Sequence, residues 1–284
     1  MRKVNILGIP IDDANYEESV GKIFEMVEGY RLNTVPRYVA TANVDFLVNT
    51  LSWIPGKIRH YELYQALNNA DLITADGMPV VWLSKLLMTP IKERVTGADL
   101  VPRLAKAAST RGVGLFFLGG ADDVAEKAAN KLSAQNPGLK IAGCISPQIN
   151  LNKTDNSIIE QINQSGADIL LIALGNPKQE IWFQRNKHRL NIPVSIGVGA
   201  TFDFIAGTIS RSPIWMQKMG LEWIYRLAQE PRRLWKRYCV DFAKFGFLAG
   251  LFILSKAKTK FFEKIDAARI FRAKKLYQCI RGSK

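Results

Sequence analysis

Short apolar runs alternate with longer segments of helical periodicity over the first 204 residues of the chain. Seven of the runs are rich in residues that favour strands and are predicted as such: 4–9, 37–43, 71–76, 113–120, 139–145, 168–175 and 194–200. Stretches between several of them, such as 122–135, have apolar positions at helical spacing. This alternation predicts an α/β fold, a Rossmann-like and largely parallel sheet with helices on both faces. An α+β domain with mixed strands is the alternative.

Charge divides the chain near residue 204. Residues 1–204 contain 21 Lys and Arg against 20 Asp and Glu, whereas residues 205–284 contain 18 against 5. Nearly all of the formal net charge of +14 therefore lies in the C-terminal part of the chain. We predict two domains, an α/β core over residues 1–204 and a basic, amphipathic helical appendage over residues 205–284.

The appendage contains the longest apolar run of the sequence, directly after a group of arginines. Pro231 is predicted to begin a helix, because proline is tolerated at a first helical position. An apolar stripe at spacings of three and four follows, with Arg233, Arg237 and Lys244 expected on the opposite side; the stripe consists of Trp235, Tyr238, Phe242, Phe245, Ala249 and Phe252. Ordinary core packing is the alternative interpretation of this stripe.

Composition favours contact with a membrane surface over a membrane span. The run without polar side chains, 245–254, is about half of the roughly 20 residues that a spanning helix needs. The basic stretch 256–275 is interleaved with Phe261, Phe262, Ile265 and Phe271, which suits an anionic membrane surface. The sequence pI of about 9.7 also fits a nucleic-acid binder. That class is disfavoured because the basic segment is amphipathic and contains no nucleic-acid motif, so we expect no nucleic acid among the partners.

Several chemistries lack their usual residues. The two histidines, His60 and His188, are too few for a histidine metal cluster, and the chain has no D-x-D, G-x-G-x-x-G or G-x-x-x-x-G-K-[ST] motif. The three cysteines are far apart in sequence and fit a reducing cytoplasm. We expect no metal and no cofactor.

Polar residues follow the predicted strands at the edge where ligands of open α/β sheets bind. Thr41 and Asn43 offer a hydroxyl and an amide. Asp76 is either a cap of the next helix or a carboxylate that accepts a proton. Gly119 and Gly120 precede a helix and either expose N–H groups to a phosphate or serve only the geometry of the turn.

Two further strand ends contain candidate ligand contacts. Pro177 is predicted to begin a helix, which places Lys178 and Gln179 in its first turn. Because the helix dipole disfavours a cation there, Lys178 is expected to have an anionic partner, with a solvent-facing lysine as the alternative. Asp203 after the Gly-rich strand 194–200 either binds a ribose hydroxyl or caps a loop.

Six of these segments, in order, resemble the motifs of the WecG/TagA/CpsF glycosyltransferases, glycosyltransferase family 26. They are "TANVDFL", "ADLITADGMPVVW", "RVTGADL", "FLGG", "LGNPKQE" and "GVGATFDFIAG", and the likeness covers about residues 5–240. The resemblance implies transfer of a sugar, most often N-acetylmannosamine or its uronic acid, from a UDP-sugar donor to an undecaprenyl-diphosphate-linked sugar. It also implies an inverting, metal-independent enzyme, peripheral on the cytoplasmic face of the cell membrane, whose products feed teichoic acid or other cell-surface polysaccharides.

The resemblance also implies roles for individual residues. Asp76 in "TADG" is similar to the family's proposed catalytic base, and Thr41 and Asn43 to residues of its pocket. Arg94 in "RVTG" and Gln179 in "NPKQE" are similar to substrate contacts. Without a metal, the departing UDP needs fixed cations, and we predict that Arg226, Arg233 and Arg237 of the appendage supply them. A membrane-anchored UDP-sugar-binding protein without enzymatic activity is the alternative function, and a homo-oligomer is left open.

Overall fold

A six-stranded parallel sheet forms the centre of the protein. The computed structural model describes residues 1–54, 56–151 and 155–255. The strands are β1 (Lys3–Ile6), β2 (Ile9–Asp12), β3 (Arg37–Ala42), β4 (Leu72–Ala75), β5 (Gly114–Gly119), β6 (Lys140–Ile145), β7 (Ile169–Ala173) and β8 (Val194–Gly197). The last six form one sheet in the order β4–β3–β8–β7–β5–β6, with every neighbouring pair parallel.

Helices cover both faces of this sheet. The described helices are α1 (Tyr16–Asn33), α2 (Val44–Thr50), α3 (Tyr61–Asn68), α4 (Met78–Leu86), α5 (Gly97–Arg111), α6 (Val124–Gln135), α7 (Asn156–Gln164), α8 (Lys178–Asn186), α9 (Thr201–Ala206), α10 (Ile214–Lys218), α11 (Glu222–Gln229) and α12 (Pro231–Ser255), with a 3-10 turn at Lys187–Arg189. The predicted α/β fold is confirmed.

Alternation within the strands divides the core into two layers. In β7, Leu170 and Ile172 belong to one buried cluster, whereas Ile169 and Leu171 belong to the other. Helices α1, α5, α6 and α9 cover the second layer, and α2, α3, α4, α7 and α8 cover the first. Because both faces are covered, the strands read as continuous apolar runs, which is why the sequence predicts them well.

The first predicted strand, 4–9, is wrong as a single strand of the main sheet. The chain reverses at Leu7 and Gly8, which both have positive φ, and β1 pairs with β2 as a separate antiparallel hairpin. The Gly8 N–H donates to the Asn5 side-chain oxygen at 2.8 Å, which closes the turn.

The predicted appendage comprises three described helices, α10, α11 and α12. The expected domain boundary after residue 204 falls inside α9, which packs against α5 and α6 of the body. Pro231 begins α12 as predicted. The basic stretch 256–275, with Phe261, Phe262, Ile265 and Phe271, lies outside the described residues.

Helix α12 docks on the body largely through the predicted apolar stripe, as the alternative interpretation of ordinary core packing expected. Phe245, Leu248 and Ala249 are buried in the first layer of the core, whereas Trp235 is 50% exposed. Lys244, expected on the solvent side, is 1% exposed, and its Nζ donates to the carbonyl oxygens of Val48 and Leu51, both at 2.6 Å. That expectation was wrong, because the free carbonyls at the C-terminal end of α2 replace water around the ammonium group.

The length of α12 also corrects an expectation. Its 25 residues include an 18-residue window of mean hydropathy 1.5 that contains only Asp241 and Lys244 as charged residues. Length and composition therefore suffice to cross a membrane, which the short uninterrupted apolar run did not suggest. In this structure 17% of the window is buried against the body.

Candidate active site

The carboxyl ends of neighbouring strands bring the predicted site residues to one edge of the sheet. The backbone N–H of Asp76, after β4, donates to the carbonyl of Ala42 at the end of β3, at 2.9 Å. Val95 donates in the same way to Ala75 at the end of β4, which brings the segment before α5 beside Asp76. A Cβ on Gly97 would lie 2.7 Å from the Thr201 hydroxyl oxygen, so the start of α5 also touches the start of α9.

Asp76 occupies an enclosed and electrostatically balanced position. Burial raises the pKa of Asp76 to about 7; the charges of Arg94 and Arg211 oppose this rise, while those of Glu222 and Asp99 add to it. The residue remains partly accessible to solvent. Gly77 is the N-cap of α4, which has no side-chain cap, so the alternative role of Asp76 as a helix cap is not seen.

The four charged groups around Asp76 form one network between the body and the appendage. Arg94 donates from Nη1 to Glu222 at 3.0 Å. Arg211 makes a two-pronged ion pair with Asp99, and its Nε lies 3.5 Å from Glu222 Oε1. Asp99 also accepts hydrogen bonds from the hydroxyls of Tyr16 and Thr96, both at 3.0 Å.

Asp99 is the firmly held member of this network. Burial is the largest influence and would raise its pKa, but the hydrogen bonds and charge of Arg211, together with the hydrogen bonds from Thr96 and Tyr16, outweigh it and keep the pKa below its ordinary value. Burial raises the pKa of the adjoining Tyr16 to about 12, so the phenol remains a hydrogen-bond donor at neutral pH. Arg211 is therefore committed to Asp99, whereas Arg94, among the described residues, donates a single side-chain hydrogen bond, to Glu222.

Thr41 and Asn43 lie at the end of β3, but both side chains have structural partners. Thr41 is buried and donates to the carbonyl of Gly197 in β8 at 2.9 Å. Asn43 caps α2 by accepting the N–H of Phe46 at 3.3 Å. A Cβ on Gly77 would lie 3.7 Å from the Asn43 Cβ, so Asn43 adjoins the turn that follows Asp76.

The glycine pair at the end of β5 serves close packing. Gly119 has a φ of 96°, and a Cβ there would lie 2.7 Å from the carbonyl oxygen of Ala173. Gly120 has a φ of 86° and donates its N–H to the same oxygen at 3.0 Å. This N–H is thus occupied, which favours the geometric role of the pair over phosphate binding.

The start of α8 combines one exposed and two buried polar residues. Lys178 is exposed, and no ion pair of its ammonium group occurs within residues 1–54, 56–151 and 155–255. Gln179 is buried and accepts the Gly199 N–H at 3.1 Å, which fixes the Gly-rich loop after β8. Burial raises the pKa of Glu180 to about 7, and Glu180 accepts a hydrogen bond from the Tyr38 hydroxyl at 3.1 Å.

Asp203 serves its own helix end. Its carboxylate accepts the Thr208 hydroxyl at 3.3 Å, and its carbonyl accepts the N–H groups of Gly207 and Ile209. These bonds match the loop cap that was one of the two alternatives for this residue.

The appendage arginines surround Tyr238 and are each engaged with a carboxylate. Their charges oppose the rise that burial causes in the Tyr238 pKa. Arg226 and Arg233 pair with Glu230, and Arg226 also lies over the ring of Phe204, with 5.0 Å between its guanidinium carbon and the ring centroid. These pairs bring Arg226 of α11 and Arg233 of α12 together at Glu230, the residue between the two helices.

Arg237 reaches the strand ends through Asp45. Its guanidinium group pairs with both carboxylate oxygens of Asp45 at the start of α2, two residues after Asn43. Asp45 also accepts the side-chain N–H of Asn176 at 2.6 Å. One carboxylate therefore connects α12 to the segments that follow β3 and β7.

Three members of the charged network were not among the predicted site residues. Asp99 lies within the quoted motif "RVTGADL" without an assigned role. Glu222 is one of only five acidic residues in the last 80, and that rarity was an unused signal. Arg211 has no local pattern to mark it, because its partner Asp99 is 112 residues away in sequence.

Comparison with known proteins identifies the family. The model of the "Glycosyl transferase WecG/TagA/CpsF family" matches residues 4–260. An N-acetylglucosaminyldiphosphoundecaprenol N-acetyl-beta-D-mannosaminyltransferase of Bacillus subtilis is 33% identical over 181 residues, 63% of this chain and 69% of the relative. A protein of the same name from Staphylococcus aureus is 29% identical over 238 residues, 83% and 86% of the two chains. The resemblance seen in the motifs is confirmed: the chain is a glycosyltransferase and belongs to the WecG/TagA/CpsF family.

Proposed function

We propose that the protein transfers N-acetylmannosamine, or its uronic acid, from a UDP donor to a sugar on an undecaprenyl diphosphate lipid. The names of the Bacillus and Staphylococcus relatives support this acceptor and this sugar. The observation that carries the chemistry is the position of Asp76, a carboxylate with a pKa of about 7 at the meeting point of β3 and β4. A general base works best when its pKa lies near the working pH.

The proposed reaction is a single displacement with inversion at the sugar C1. Asp76 accepts the proton of the acceptor hydroxyl as the new glycosidic bond forms, and UDP departs from the opposite face of the sugar. Arg94 of the body lies beside Asp76, and its guanidinium group stabilises the negative charge that develops on the departing diphosphate. Arg226, Arg233 and Arg237 remain our proposed contributions from the appendage, so the reaction needs no metal.

The remaining predicted residues take supporting roles in this proposal. Thr41 and Asn43 form the end of β3 beside Asp76, and Gln179 fixes the Gly-rich loop after β8. Lys178 is the exposed cation at the same edge and is available to an anionic ligand.

We further propose that the enzyme is peripheral on the cytoplasmic face of the membrane. On α12, Val240, Phe247 and Leu254 are exposed apolar residues, and Trp53 of the body lies 6.0 Å from Phe247 between ring centroids. This surface fits the bilayer that contains a polyprenyl acceptor. We place the start of the appendage after Gly207, where α9 ends, rather than inside that helix.

A direct assay tests the proposal. Purified protein is incubated with UDP-N-acetylmannosamine and a short-chain prenyl diphosphate N-acetylglucosamine, with and without a chelator. We expect a disaccharide lipid of inverted anomeric configuration, formed at the same rate with chelator. A UDP-sugar panel that yields no product, while UDP still binds, would refute the transfer reaction. Loss of activity on chelation, restored by a divalent cation, would refute the metal-independent mechanism.

A further inference from the structure

The charges around Asp76 are paired with one another. Two arginines and two carboxylates surround it: Arg94 and Asp99 belong to the body, and Arg211 and Glu222 to the appendage. A diphosphate entering this site therefore meets no unpaired guanidinium group in the network. Within this network it can gain a cation only by displacing a carboxylate.

The two carboxylates differ in how firmly they are held. Asp99 accepts two hydrogen bonds from Arg211 and one each from Tyr16 and Thr96. The hydrogen bond that Glu222 accepts within the described part of the chain comes from Arg94, at 3.0 Å, and its contact with Arg211 is longer, at 3.5 Å. Glu222 is therefore the carboxylate that is more easily exchanged.

Arg94 is a cation that needs an anion. Its side chain is only 14% exposed, so water cannot replace a lost partner fully, and an unpaired guanidinium group there is costly. A phosphate offers the same geometry as a carboxylate to the arginine fork, with more negative charge.

We propose that Glu222 is a positioning residue that occupies the place of a substrate diphosphate on Arg94 and gives Arg94 up when that diphosphate binds. The inference rests on the proposed function and extends it to an appendage residue. The carboxylate holds the Arg94 guanidinium group near Asp76, and it ties α11 to the body through the same contact. The displaced carboxylate remains next to Arg211, whose Nε has no hydrogen-bond partner among the described residues.

The sign of the effect separates this role from a purely structural one. If Glu222 competes with the diphosphate, Glu222→Gln tightens binding of UDP, whereas a merely structural residue loosens binding when it is replaced. An ion pair of this exposure corresponds to about a two- to fivefold gain in UDP affinity. Uridine, which lacks the diphosphate, should bind equally to both proteins.

The experiment uses titration calorimetry on the full chain with UDP, uridine and a short prenyl diphosphate. A gain for UDP alone assigns the exchange to the donor, and a gain for the prenyl diphosphate alone assigns it to the acceptor. The matched control is Glu62→Gln, which removes a carboxylate paired with Arg185 at the other end of α8 and should leave all three affinities unchanged.

Three outcomes overturn the inference. Unchanged or weaker binding of both diphosphates by a folded Glu222→Gln protein overturns it while the proposed function stands. A gain for uridine equal to that for UDP also overturns it, because the diphosphate is then not the competing group. Failure of the wild type to bind UDP overturns both. Glu222→Asp, which keeps the charge but shortens the reach, should give a smaller gain and decides the question if the Gln variant is insoluble.

Discussion

Replacing Asp76 with Asn separates the energetic cost of the enclosed carboxylate from its chemical use. An aspartate ordinarily has a pKa of 3.8, and burial raises that of Asp76 to about 7. Between these two values the folded protein holds a proton that the unfolded chain has released. The stability of the wild type therefore falls as the pH rises from about 4 to about 7.

The size of this effect follows from the shift in pKa. At about 1.4 kcal/mol for each pKa unit, the whole interval corresponds to ~4 kcal/mol, and about 2 kcal/mol of it is lost between pH 5.5 and pH 8. Because asparagine cannot ionise, the stability of the Asp76→Asn protein does not fall with pH in this way. We expect the variant to gain on the wild type by about 2 kcal/mol between these pH values, or about 4–8 °C in the unfolding midpoint.

Thermal unfolding of both proteins at pH 5.5 and pH 8 measures the gain, and the transfer assay measures the use of the carboxylate. We expect kcat to fall by a factor of about 10²–10⁴, with UDP binding nearly unchanged. Asp122→Asn, in the exposed turn before α6, is the control and should change neither quantity. The reasoning fails if the stability difference is the same at both pH values, or if the Asn variant turns over normally.

Two further predictions concern packing. Gly119→Ala should lower the free energy of unfolding by about 2–4 kcal/mol, because the new methyl group meets the Ala173 carbonyl at a positive φ. The control is Gly29→Ala in α1, where a Cβ meets nothing within 4 Å, and it should be neutral or stabilising. Equal melting temperatures of the two variants would contradict the assigned clash. Lys244→Met should cost about 1–3 kcal/mol, because it leaves the carbonyls of Val48 and Leu51 without their donor. Lys236→Met on exposed α12 surface is its control, and equal losses in unfolding free energy would refute the assigned role of Lys244.

The sheet was predictable because its strands are buried on both faces. Apolar runs such as "ILLIA" in β7 predict a central parallel strand, and the polar residues that follow them indicate the edge of the sheet where ligands bind. The hairpin β1–β2 was not predicted from the sequence. Its turn residues, Leu7 and Gly8, lie within an apolar stretch that has no Asn-Gly or Asp-Gly pair to indicate a turn.

The site was only half predictable, for a physical reason. Asp76 follows from the rule on strand ends, because that rule needs only local sequence, and Arg94 came from the resemblance of the motif "RVTG". The contact of Arg94 with Glu222 spans 128 residues, and an ion pair has no periodicity that a sequence reveals. For Lys244 the sequence predicted a solvent-facing residue that is in fact buried. A charged residue predicts a solvated face unless its partners, here the carbonyls of Val48 and Leu51, are known.

The anchors of α12 have a consequence for synthesis of the chain. Arg237 and Lys244 bond to Asp45, Val48 and Leu51, which precede them by more than 190 residues. When α12 leaves the ribosome, the body that receives it has already emerged and begun to fold. The long helix α12, with its apolar C-terminal part, thus meets a docking surface that has begun to form, which shortens the time in which it is open to aggregation or to capture by chaperones.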